Sequence, residues 1–123
     1  MKELHGVLKD LFVKREGEPF TSRDVVDIMN LLGKCIITGN IRRVAEIALG
    51  DAYDDEFKSL KDYSKNPDRM DYGWVSNNSI FAEVGMDYTD IAEKIRLNGE
   101  PGLCWLDNMR AYGRMGDAPN YKD

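Results

Sequence analysis

The sequence predicts an α/β fold. Segments with helical apolar spacing alternate with short, β-leaning apolar runs. Several of those runs are apolar on both faces, which suits strands buried on both sides. There are too few of them to close a barrel. Neither an internal repeat nor a domain boundary interrupts the 123 residues, so residues 1–123 read as one segment.

Leu4, Val7, Leu8, Leu11 and Phe12 recur at helical spacing and predict a helix over about residues 2–14, with Gly17 ending it. Thr21-Ser22-Arg23-Asp24 resembles an N-capping signature. Val25, Ile28, Met29 and Leu32 then form one face of a second helix, with Gly33 as a suitable stop. Cys35–Thr38 reads as a short buried strand and Val44–Leu49 as another. Glu46 inside the second run is expected to be edge-facing or paired, an arginine being one candidate partner.

Asp51 to Asp55 reads as a loop entering a helix, since carboxylates are favourable at a helix N-terminus. Tyr53, Phe57 and Leu60 supply its apolar face. Ser64 to Asp68 is a loop. Tyr72–Val75 and Ser79–Val84 read as extended, with Ser76-Asn77-Asn78 between them. Asp87 precedes a helix marked by Tyr88, Ile91, Ala92 and Ile95, which Asn98-Gly99 terminates. Leu103–Leu106 reads as a strand and Asn108–Met115 as a short helix. Residues 117–123 form a polar loop tail.

Composition narrows the function. The net charge of −5 argues against general nucleic-acid binding, which needs a basic footprint. No apolar run approaches a membrane span and the N-terminus does not read as a secretory signal, so the cytoplasm is the expected compartment. The two cysteines, Cys35 and Cys104, sit in apolar runs and read as buried, reduced thiols. With His5 the single histidine, no zinc constellation is available and a Ser-His-Asp arrangement has no support. No metal site is expected.

Three segments could carry chemistry. Thr38-Gly39-Asn40-Ile41-Arg42-Arg43 is a turn joining two apolar runs. Gly39 and Asn40 tolerate positive φ, and the two guanidinium groups offer planar donor forks for an anion. The alternative is a solvated hairpin with surface arginines. Ser76-Asn77-Asn78-Ser79 places two carboxamides between hydroxyls, suited to sugar, base or phosphate, or it is a polar turn. Asn98 to Asn108 holds a Gly-containing turn feeding an apolar strand that ends in Asp107-Asn108, with Asp107 expected as a helix cap.

Taken together in order, RDVVDIMNLLGKCIITGNIRRVAEIALGD, FKSLKDY, NPDRMDYGWVSNNSIF and NGEPGLCWLDNMRAYGRM resemble the large catalytic chain of ribonucleotide reductases. The resemblance is closest to the adenosylcobalamin-dependent, or class II, type and covers about residues 20–116. It implies an internal portion of a ten-stranded α/β barrel, incomplete on its own. It also implies that Thr38, Gly39, Asn40, Ile41, Arg42 and Arg43 form the loop between substrate base and specificity effector, with Arg42 approaching the base. Ser76, Asn77, Asn78 and Ser79 are implied to belong to the substrate pocket.

For the whole enzyme the resemblance implies thiyl-radical reduction of ribonucleoside tri- or diphosphates, begun by adenosylcobalamin. The implied partners are a ribonucleotide substrate, a deoxynucleotide effector, a thioredoxin-type reductant and the remaining barrel segments. The family's Asn-Pro-Cys-x-Glu radical motif is absent from these 123 residues; the family pattern would put it shortly after Asp123. No catalytic residue is therefore assigned, and the chain alone is expected to be inactive. A stand-alone nucleotide-binding regulatory module and an inactive remnant are the competing readings.

Overall fold

In the computed structural model, residues 2–39 and 43–112 are described. Helix α1 (Lys2–Lys14) is followed by α2 (Ser22–Thr38), strand β1 (Glu46–Asp51), the one-turn helix α3 (Asp55–Lys58) and 3₁₀ turns at Pro67–Asp71 and Gly73–Val75. Strand β2 (Ser76–Ala82), α4 (Thr89–Asn98), β3 (Gly102–Trp105) and α5 (Leu106–Tyr112) complete the order. The strands form one parallel sheet, β1-β2-β3, with Glu46 opposite Ser76 and Ser79 opposite Gly102. The α/β prediction therefore holds at the level of class, as an open sheet. The intervals between its parallel neighbours contain α3 and α4, as parallel pairing requires a crossover.

The core lies on one side of this sheet. Val26 of α2, Ala52, Phe57, Leu60, Ile80 of β2 and Ile91 of α4 pack together, joined by Ala48, Met86, Tyr88 and Ile95. Each large apolar side chain buried there contributes about 1.5–3 kcal/mol. The other side is uncovered: Ile47 is 71% exposed, and Leu49 and Asn77 are also exposed. Runs apolar on both faces suit burial on both sides, and the fold was expected to be incomplete on its own. Among the described residues only one face is covered.

The first helix forms where its periodicity put it. Thr21 caps α2 in a full capping box: its side chain accepts from the Asp24 amide, and Asp24 accepts from the Thr21 amide at 2.9 Å. Asp54, within the acidic loop that enters α3, caps that helix, accepting from the Phe57 amide at 3.0 Å. Gly99 ends α4 in the left-handed region at φ 77°, where glycine carries no Cβ penalty.

Several boundaries differ from expectation. Cys35–Thr38 is the end of α2, not a strand. The helix runs through Gly33 because tertiary contacts hold it there: a Cβ at that position would lie 2.1 Å from Glu46 Oε1 and 2.7 Å from Val75 Cγ1. Thr38 Oγ1 donates back to the Lys34 carbonyl at 2.7 Å, and Gly39 caps the end. The segment after Gly39 thus joins a helix to a strand and is no hairpin. Strand β1 starts two residues later than predicted. Residues 73–75 are a 3₁₀ turn, and Ser76-Asn77-Asn78 opens β2 where a turn was expected. Helix α5 begins at Leu106, so Asp107 lies in its first turn and is not its cap. The predicted tail, 117–123, lies outside the described residues, as do 113–115.

The inward face of α2 is also the reverse of the predicted one. Asp24, Val26, Asp27, Asn30 and Gly33 are buried. Val25, Met29 and Leu32 are exposed, Met29 by 51%. The reason is Arg69, 0% exposed, which reaches into the helix–sheet interface and pairs with the polar side of α2.

Candidate functional site

The alternation of β2 divides the Ser76–Ser79 motif. In an extended strand successive side chains point to opposite faces. Ser76 and Asn78 are buried on the helix-covered side, while Asn77 is exposed and Ser79 half-buried on the open side. Ile47, Leu49 and Phe81 share that open side by register and parity. The open face therefore offers the Asn77 carboxamide and the Ser79 hydroxyl, with Asp51 and Cys104 beside Phe81 by the same register.

The covered half of the motif belongs to a polar network. Arg69 Nε donates to Asp27 Oδ1 at 2.6 Å, Nη2 donates to Asn30 Oδ1 at 3.1 Å, and Nη1 donates to the Leu60 carbonyl. Asn30 Nδ2 donates to Glu46 Oε2 at 2.9 Å. The Ser76 hydroxyl donates to Asn78 Oδ1 at 2.7 Å and lies 3.3 Å from Asn30 Oδ1. The Asn78 amide donates to Glu100 Oε2 at 3.0 Å. Lys61 Nζ donates to the Ser76 carbonyl at 2.6 Å and stands 3.4 Å from Glu100 Oε1. Glu46 is thus partnered by a carboxamide from α2.

Electrostatics follow from this packing. Burial, reinforced by Asp27 and Asp68, pushes the Tyr72 phenol up to about 12; its hydroxyl donates to Asp27 Oδ2 at 3.2 Å. Burial alone would raise Asp24, but the Thr21 backbone and hydroxyl donors and Arg15 outweigh it and hold that carboxyl below the usual range. The Asp54 carboxyl is likewise lowered: burial opposes the shift, and the Phe57 amide leads the effects that overcome it.

Of the six residues of the arginine turn, Thr38 ends α2, and Gly39 and Arg43 are exposed. Gly39 takes φ −72°, so it does not use the left-handed freedom anticipated for it. Asn40, Ile41 and Arg42 lie outside the described residues. The second and third candidate segments do meet, through the Asn78–Glu100 bond. Asn30, Lys61 and Arg69 were not foreseen as partners. The one signal for them was Asp27 and Asn30, three residues apart within the apolar stretch Val25–Leu32 of the helix.

Cys35 and Cys104 are free and half-buried, less enclosed than expected. Cys104 Sγ lies 2.9 Å from Met109 Sδ. No group of three or more His, Cys, Asp or Glu among the described residues could hold a metal ion. No helix among them is long and apolar enough to cross a membrane.

The chain is 53% identical over 120 residues to an adenosylcobalamin-dependent ribonucleoside-triphosphate reductase of Euglena gracilis, covering 98% of this chain and 16% of that protein. Over nearly all its length the chain is homologous to adenosylcobalamin-dependent ribonucleoside-triphosphate reductases. It is 52% identical to the probable reductase of this kind from Dictyostelium discoideum, over 100% of the chain and 16% of the relative. The Lactobacillus leichmannii reductase is 40% identical over 89% of the chain and 15% of its own length. The chain thus spans about one-sixth of the length of these reductases. No family model and no solved structure matches it.

Proposed function

We propose that the chain acts as a segment of a ribonucleoside-triphosphate reductase, contributing a specificity loop and part of the substrate pocket. The observation that carries the reading is the 53% identity to the Euglena reductase across 98% of the chain. In this reading Thr38 to Arg43 form the loop between substrate base and deoxynucleotide effector, with Arg42 toward the base. Asn77 and Ser79 are the pocket half of their motif, because their strand face is open. Ser76 and Asn78 hold β2 in place from behind. The uncovered face, with Ile47, Leu49 and Phe81, would become the lining of a barrel interior once the rest of the polypeptide closes it. Such an apolar face needs covering.

The described residues do not build a site for adenosylcobalamin. The Cys104 thiol meets Met109, not a carboxylate, and the described residues hold no metal-ligand cluster. The cofactor would be held by other parts of the whole protein, where it supplies the radical that begins reduction. What this segment does is orient a nucleotide.

The test is complementation. The chain, adenosylcobalamin, a dithiol or thioredoxin-type reductant and a ribonucleoside triphosphate should yield no deoxynucleotide. Adding the remaining segments of the reductase should yield it, and Asn77→Ala in that mixture should raise KM. Turnover by the chain alone overturns the reading. Deoxynucleotide binding by the isolated chain, weakened by Arg42→Ala, would favour the stand-alone regulatory module instead.

A further inference from the structure

The arginine turn leaves α2 at Thr38 and enters β1 at Glu46. One hydrogen bond ties its β1 end back to the middle of α2, about two turns before Thr38: Asn30 Nδ2 to Glu46 Oε2, 2.9 Å. The orientation of the Asn30 carboxamide is dictated by its other neighbours. Its oxygen accepts from Arg69 Nη2, and a guanidinium can only donate. The Asn30 nitrogen must therefore face Glu46. Asn30 is 0% exposed, so it has no water to fall back on.

The Glu46 side chain lies where a side chain at position 33 would stand, since a Cβ built on Gly33 would meet Oε1 at 2.1 Å. Glu46 is also the register partner of Ser76. From there the contacts continue through the Ser76 hydroxyl to Asn78, and through the Asn78 amide to Glu100. One polar chain thus joins the foot of the arginine turn to the strand that presents Asn77 and Ser79. Asn78 Nδ2 is buried beside that chain without a hydrogen-bond partner.

We propose that Asn30 and Glu46 are a positioning pair for substrate choice, fixing the β1 end of the arginine loop against α2 and tying it to the pocket strand; this rests on the reading of residues 38–43 as the specificity loop. A buried polar contact of this kind selects one geometry, where an apolar pair would tolerate several. The pair touches no substrate. It acts through the loop that does.

The experiment uses the complete reductase containing this segment, and reads the ratio of kcat/KM for two ribonucleoside triphosphates at a fixed deoxynucleotide effector, with a thermal melt beside each assay. Asn30→Asp keeps the acceptor for Arg69 but replaces the donor to Glu46 with an oxygen, so that two carboxyl groups meet where the bond was. It should change the ratio by about five-fold or more. Adding Glu46→Gln restores a donor from the opposite side and should return the ratio toward wild type. Should Asn30→Asp not fold, Glu46→Ala removes the same bond from its half-buried end and is read in the same way. Arg42→Ala tests the loop itself. If Arg42→Ala moves the ratio and the bond-breaking variant does not, the positioning pair is overturned and the loop reading stands. If neither moves it, the loop reading falls and the pair with it. A change in melting without any change in ratio also overturns the proposal.

Discussion

Arg69 Nε meets Asp27 Oδ1 at 2.6 Å inside the helix–sheet interface, and this pair decides which side of α2 turns inward. Removing one partner leaves the other charged and unpaired where water cannot reach. Asp27→Ala should therefore cost about 3–5 kcal/mol in urea unfolding, and Asp27→Asn less, because an amide oxygen still accepts. Met29→Ser, on the exposed apolar side of the same helix, should stay within about 0.5 kcal/mol in the isolated chain.

Gly33→Ala sets two effects against each other. Helix propensity favours alanine by up to about 1 kcal/mol. The new methyl, however, would stand 2.1 Å from Glu46 Oε1 and 2.7 Å from Val75 Cγ1. Overpacking costs about 1–3 kcal/mol. The expected outcome is a lower melting temperature, and a rise would show that the Glu46 side chain moves aside freely.

The same substitution at adjacent positions should separate the two faces of β2. Asn77→Asp places a charge in solvent and should change stability by no more than about 0.5 kcal/mol. Asn78→Asp buries a carboxylate beside Glu100 and should cost about 3 kcal/mol or more near neutral pH. Denaturant midpoints of equal size for the two variants would contradict the alternation.

Acid should weaken the fold through its helix starts. Asp24 and Asp54 both have carboxyls held below their ordinary 3.8. Groups lowered on folding contribute stability that is present above the unfolded value and is lost as pH falls through the folded one. Melting temperature should therefore drop as pH is lowered from about 4. Asp54→Asn, which can cap but not titrate, should make that drop shallower.

Alkali acts through Tyr72. The folded chain keeps this phenol protonated up to about 12, against an ordinary 10.0. A group raised on folding contributes stability fully present below the unfolded value and lost as pH rises through the folded one. Unfolding free energy should decline between pH 10 and about 12. Tyr72→Phe should remove that part of the decline, and the late part of the tyrosinate absorbance titration should shrink in that variant.

Local signals were read well where they are local. The Thr21–Asp24 capping box, the Gly99 terminator and the spacing of α1 and α4 arise from contacts within a few residues, so the chain states them directly. The motif order that marks the reductase family is equally a property of the chain, and the relatives agree with it. The end of α2 was misread because Ile36 and Ile37 lean toward strand, whereas contacts of Asn30 and Gly33 with β1, β2 and the 3₁₀ turns hold the helix there. The Ser-Asn-Asn run looked like a turn because its residues are polar; Lys61, Asn30 and Glu100 satisfy it from distant positions.

By itself, then, the sequence determined an α/β class, the capped start of α2, the end of α4 at Gly99, and a family resemblance. Tertiary structure alone decided that α2 faces inward with its polar side, that β2 begins at Ser76, and that Asn77 and Ser79 share the open face while Ser76 and Asn78 do not. The physical reason for the inward polar side of α2 is a single buried cation. Arg69, far along the chain from α2, must have its donors met once it leaves water, and the residues that meet them have no periodicity to announce it.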